Sequence, residues 1–127
     1  MESGGSNKKF IRLSKLEDGD EMSAFYLGNR KVGDQYPPLI VAEVGINHNG
    51  SFEKACELVR LAKQAGCECV KFQCHIPDKE MIPNDIIPDN ANESIWDMMH
   101  RCAFSEEQER ELKELVESEG MIYLSTP

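Results

Sequence analysis

The chain has 127 residues, 40% hydrophobic and 29% charged, with a formal net charge of −9. That length fits one domain of modest size, and the composition reads as globular and soluble rather than disordered. The acidic balance argues against a nucleic-acid surface, because phosphate backbones need a basic footprint, but it leaves room for one small anionic substrate met by a local positive cluster.

Residues 1–9 read as a disordered leader. Residues 10–36 hold two short β-prone pieces, Phe10–Leu13 and Ala24–Leu27, bounded by turn signals at Asp18-Gly19 and Gly28-Asn29. A leader and small β-ribbon over 1–36 are therefore expected before the main fold. After Pro37-Pro38, the run Leu39–Gly45 is short, apolar and closed by Gly, which predicts a strand buried on both faces, as in parallel sheets. Ser51 is placed to cap a helix carrying Glu53 in its first turn, with Ala55, Leu58, Val59, Ala62 and Ala65 at helical spacing and Gly66 as the stop. Cys67–Gln73 reads as the next strand.

Residues 74–91 are rich in Pro, Asn and Asp, and Met81, Ile82, Ile86 and Ile87 are expected to anchor this stretch as an ordered loop. Loops of such length are often functional. Ser94–Cys102 predicts a short helix. Ser105 and Gln108 form a capping-box signature for a helix to about Glu119, with Leu112, Leu115 and Val116 inward. Gly120 ends it, and Met121–Thr126 reads as a third strand. The order β-α-β-α-β over 37–127 implies a parallel sheet, either doubly wound or part of a (β/α)₈ barrel.

The longest apolar run, Leu39–Ala42, is interrupted by Glu43, so no segment is suited to span a membrane. The first residues lack the apolar stretch of a secretory signal, and a cytoplasmic location with no membrane or nucleic-acid partner is expected. Five cysteines, an odd number, suit free thiols better than a disulfide framework. Cys67, Cys69, Cys74 and His75 cluster in sequence, but not with the paired spacing of structural zinc sites, and small buried strand residues account for them better.

Strand periodicity puts Leu39, Val41 and Glu43 on one face of the first strand, Cys69, Lys71 and Gln73 on one face of the second, and Ile122, Leu124 and Thr126 on one face of the third. Each polar group lies toward a strand's C-terminal end, where α/β folds build their sites. A lysine in a buried strand needs an anion, and two are open to Lys71: Glu43 on the neighbouring strand, or a substrate phosphate or carboxylate. Glu43 either neutralises Lys71 or binds hydroxyls and steers protons. Gln73 and Thr126 either satisfy buried backbone groups or orient a polyol. The turn Gly45–Gly50 is neither a Walker A loop nor a Gly-x-Gly-x-x-Gly motif; Asn47, His48 and Asn49 are turn and cap formers or the lining of a polar pocket.

Several of these segments together resemble the bacterial N-acetylneuraminate (sialic acid) synthases. They are Ala42-Glu-Val-Gly-Ile-Asn-His-Asn-Gly50, Val70-Lys-Phe-Gln73 and Leu124-Ser-Thr-Pro127, with Gly28–Gly33, Asn90–Trp96 and Arg101–Glu107 in support. The resemblance runs from about residue 25 to the end. It implies a TIM barrel followed by an antifreeze-like domain that caps the partner's active site in a homodimer. It also implies condensation of phosphoenolpyruvate with open-chain N-acetylmannosamine, giving N-acetylneuraminate and phosphate, with manganese or magnesium as divalent cofactor. Glu43 and Gln73 would be catalytic, beside the reacting centre. Lys71 would take the phosphate, and Asn90, Thr126 and Asn47 would complete the substrate-binding set. The metal ligands would lie outside this chain. A full barrel needs about 250 residues, so the chain is expected to be an N-terminal fragment, inactive alone. Legionaminic or pseudaminic acid synthases, a non-catalytic relative, and an unrelated α/β binding domain are the competing readings.

Overall fold

The computed structural model describes residues 24–126; the leader, the Phe10–Leu13 piece and the Asp18-Gly19 turn lie outside them. The chain divides into two compact units between Leu39 and Ile40. In the first, β1 (Ala24–Leu27) and β2 (Arg30–Gly33) form an antiparallel hairpin with Leu27 opposite Arg30. Gly28 and Asn29 make the turn between them, as a two-residue hairpin loop with Gly allows. Sequence pattern alone had not singled out Arg30–Gly33 as the pairing strand. The Lys31 ammonium lies 4.8 Å from the Tyr36 ring centroid and 5.9 Å from that of Tyr26, covering both rings with a cation.

The second unit contains β3 (Val41–Gly45), α1 (Phe52–Gln64), β4 (Cys69–Gln73), α2 (Pro77–Glu80), α3 (Ile95–Cys102), α4 (Glu106–Ser118) and β5 (Ile122–Thr126). The three strands are parallel and lie in the order β3-β4-β5. Their helices start where capping chemistry starts them. The Ser51 hydroxyl accepts from the Lys54 amide at 3.2 Å, and the Ser94 hydroxyl accepts from the Asp97 amide at 3.0 Å. Ser105 and Gln108 complete a reciprocal capping box at the head of α4.

The core forms between one face of the sheet and two helices. Val44, Val70 and Phe72 meet Ala55, Val59 and Ala62 of α1 and Leu112 and Val116 of α4, with Met121 beneath. Side chains the size of Phe72 and Leu112, both fully buried, each contribute about 1.5–3 kcal/mol of apolar transfer. Consecutive parallel strands with both crossover helices on one face are the arrangement of the opening strands of a (β/α)₈ barrel.

Four expectations need correction. The strand at 39–45 is not buried on both faces: Val41 is 39% exposed and Glu43 is exposed, while Lys71, Gln73, Leu124 and Thr126 are only part-buried. Helices cover the Val70–Phe72 side, and the opposite face is open. Ala65 ends α1 as its C-cap and is exposed rather than inward. The isoleucines of the long loop are not anchors, since Ile82, Ile86 and Ile87 are 83%, 62% and 58% exposed. That loop also holds a helical turn, α2, started by Pro77 at its first position. No helix among the described residues is long and apolar enough to cross a membrane.

Candidate functional site

The open face of the sheet gathers four of the sequence-predicted residues, Glu43, Lys71, Gln73 and Thr126. Glu43 pairs in register with Lys71, Lys71 with Leu124, and Gln73 with Thr126. The Lys71 ammonium donates to the Glu43 carboxylate at 2.6 Å. The ion pair is therefore made, but not in the buried setting expected of it. The Lys71 side chain is 29% exposed and that of Glu43 is 55% exposed, so neither carries a large desolvation cost. An exposed pair of this kind contributes about 0–1 kcal/mol, which leaves the amine free to exchange one anion for another.

Gly45 is a site residue that sequence reading missed. The register between β3 and β4 slips between Glu43 and Gly45, so that Gly45 stands opposite Phe72. Bulges of this sort re-aim the chain near sites. Gly45 has φ +54°, and a Cβ there would lie 3.7 Å from Gln73 Oε1 and 3.9 Å from Glu43 Oε1. A bare backbone position thus separates the amide from the carboxylate and keeps both reachable. The signal in the sequence was a glycine ending an apolar strand.

Beyond the strand ends, the turn after β3 is built from three successive backbone bonds: Asn47 to Val44, Asn49 to Ile46 and Ser51 to His48. Asn47 is exposed on it. His48, in contrast, is 1% exposed, stacks on Phe104 at 4.3 Å and accepts from the Gly50 amide at Nδ1. Burial lowers its pKa. It is a packing residue that nails the turn into the core, the plainer of its two readings. Asn90 sits exposed in a turn of the long loop and makes no hydrogen bond or ion pair with Glu43, Lys71, Gln73 or Thr126 among the described residues.

The turn is braced from a distance. The Arg101 guanidinium, in the last turn of α3, donates to the Asn49 carbonyl at 2.8 Å. It also grips both Glu93 oxygens, from Nε at 3.2 Å each and through Nη2 more closely still. That hydrogen bonding holds the Glu93 carboxyl below its ordinary pKa. The contact is tight at the backbone too: a Cβ on Gly50 would come within 2.2 Å of the Arg101 carbonyl oxygen.

The cysteines are all unpaired, and Cys69 is wholly buried, which pushes its thiol up to about 11. Such a thiol is inert at neutral pH. His75, which clusters in sequence with Cys67, Cys69 and Cys74, instead lies 2.8 Å from Glu80 through Nδ1, and Glu80 also accepts from the Ile76 amide. Among the described residues no three imidazole, thiol or carboxylate groups converge on one point. The described residues by themselves do not compose a metal site.

Comparison with known proteins places the chain in a family and shows the same fold. Residues 58–127 match the NeuB family. An uncharacterised protein of Methanocaldococcus jannaschii is 35% identical over 106 residues, which cover 84% of this chain and 29% of that protein. The N,N'-diacetyllegionaminic acid synthase of Legionella pneumophila is 36% identical over 110 residues, covering 77% of this chain and 31% of the enzyme. Among solved structures, N-acetylneuraminic acid (sialic acid) synthetase from Leptospira borgpetersenii superimposes with a TM-score of 0.69 at 24% identity, over 84% of this chain and 34% of that one. The shared fold is the barrel opening described above. The chain spans about a third of the length of the curated relatives it matches.

Proposed function

The chain belongs to the NeuB family, and from that premise we propose that its sheet forms part of the substrate cleft of a synthase joining phosphoenolpyruvate to N-acetylmannosamine. The products are N-acetylneuraminate and phosphate. The observation that carries the reading is one juxtaposition: an exchangeable Lys71–Glu43 pair, the Gln73 amide and the bare backbone of Gly45 at the C-terminal ends of adjoining parallel strands.

In this reading the Lys71 ammonium leaves Glu43 for the phosphate of phosphoenolpyruvate. A multiply charged phosphate is the stronger partner for the amine, and the pair it replaces is weak. Glu43, once released, accepts from a sugar hydroxyl or takes up a proton beside the reacting centre. Gln73 orients the same centre, while Thr126, Asn47 and Asn90 hold the amino sugar. C3 of the enol then bonds to the aldehyde carbon, whose oxygen takes up a proton; a water adds to C2, and the phosphate departs as the C2–O bond to it breaks. Holding the two substrates face to face supplies much of the acceleration in such a reaction. The reading includes a divalent cation, manganese or magnesium, as cofactor. It also includes a homodimer, with the cation's ligands and the dimer contacts outside residues 1–127. Those residues by themselves would not turn over substrate.

The test is Lys71→Ala in the synthase carrying this region. Loss of a charge-assisted bond worth about 1.5–3 kcal/mol raises KM for phosphoenolpyruvate roughly 10- to 150-fold, with KM for the sugar little changed. Unchanged kinetics would remove the phosphate role. A second reading keeps this chemistry and changes the sugar: the relationship to a diacetyllegionaminic acid synthase favours a di-N-acetylated substrate. Competing the two sugars in one assay separates the readings.

A further inference from the structure

We propose that Arg101 is a positioning residue that braces together the two loops bearing the amino-sugar contacts, and so governs affinity for the sugar but not for phosphoenolpyruvate. The inference rests on the synthase reading and goes beyond it to a side chain outside the sheet.

The two asparagines assigned to the sugar, Asn47 and Asn90, lie on different loops, and neither is held by a strand ladder. Arg101 reaches both loops. One guanidinium nitrogen donates to the Asn49 carbonyl, two residues past Asn47, and the rest of the fork holds the Glu93 carboxylate, three residues past Asn90. Arginine is suited to this because its planar fork presents several donors in fixed directions, which a lysine cannot reproduce. The Arg101 side chain is 42% exposed, so what fixes it is this set of hydrogen bonds together with the close approach of its backbone carbonyl to Gly50. Lys71, Glu43 and Gln73 ride on β3 and β4, whose registration depends on the sheet and not on this brace.

The two sets of contacts should therefore respond differently when Arg101 is changed. In the intact synthase, Arg101→Ala raises KM for N-acetylmannosamine roughly 10- to 100-fold through misplacement of the sugar contacts, with KM for phosphoenolpyruvate within about twofold. Arg101→Lys recovers only part of the loss, and Glu93→Gln loosens the long loop while sparing the β3–α1 turn. Hydrogen exchange should rise in Arg101→Ala in peptides covering residues 46–50 and 86–93, and stay unchanged in β4. An equal rise in both KM values, or a normal sugar KM despite faster loop exchange, overturns the positioning role. Unchanged exchange in those peptides overturns the brace itself. A wild-type protein that performs no condensation overturns the synthase reading instead, and the exchange measurement still judges the brace.

Discussion

Gly50→Ala tests the joint between the first turn and α3 most directly, because the chain supplies its own control. Gly50 and Gly66 have nearly the same left-handed backbone, φ +81° and +84°. A Cβ at Gly66 meets nothing within 4 Å, whereas at Gly50 it would stand 2.2 Å from the Arg101 carbonyl oxygen. Alanine at Gly66 therefore carries only the left-handed backbone cost, about 1–2 kcal/mol. Alanine at Gly50 carries that cost plus overpacking against a backbone atom that cannot rotate aside, a further 1–3 kcal/mol or so. Relief requires the end of α3 to back away, which draws the Arg101 guanidinium off Asn49. Urea unfolding followed by far-UV circular dichroism should place Gly50→Ala about 1–3 kcal/mol below Gly66→Ala. Equal losses would mean that the turn and helix are not in contact and that Arg101 does not brace the turn.

Burial depresses the pKa of His48 below its unfolded value, so the unfolded chain binds the extra proton first. Its contribution to stability is whole above about pH 6.5 and falls as pH drops from there through the folded-state value. The slope for one proton is at most about 1.4 kcal/mol per pH unit. Urea midpoints between pH 7.5 and 5.5 should fall in the wild type and flatten in His48→Gln; parallel curves would contradict a buried neutral imidazole. Leu112→Ala, at a fully buried position between α4 and the sheet, should cost about 2–5 kcal/mol by thermal or urea unfolding. A loss under about 1 kcal/mol would mean that α4 does not cover the sheet.

Much of the fold was legible along the chain because its signals are local. Ser51, Ser94 and Ser105 open helices where a side-chain oxygen can meet orphan amides, and that requires only three or four neighbouring residues. Period-two alternation put Glu43 on one face of its strand, Lys71 with Gln73 on one face of theirs, and Thr126 on one face of the third, and strand pairing made those faces common. The exposed isoleucines misled for the complementary reason: an apolar residue in a loop states a preference for burial but not what is available to bury it.

Tertiary structure alone decided the rest. A register slip at Glu43/Gly45 cannot be read from either strand, because it exists only between them, yet it sets Gly45 beside both Gln73 and Glu43. His48 was ambiguous until Phe72 and Phe104 closed around it. Arg101 finds Asn49 across 52 residues, a separation over which no sequence period carries information. Backbone propensity and capping act within a segment and are written there. Pairing register, burial and long-range bracing arise from packing segments together, so only the folded chain could determine them.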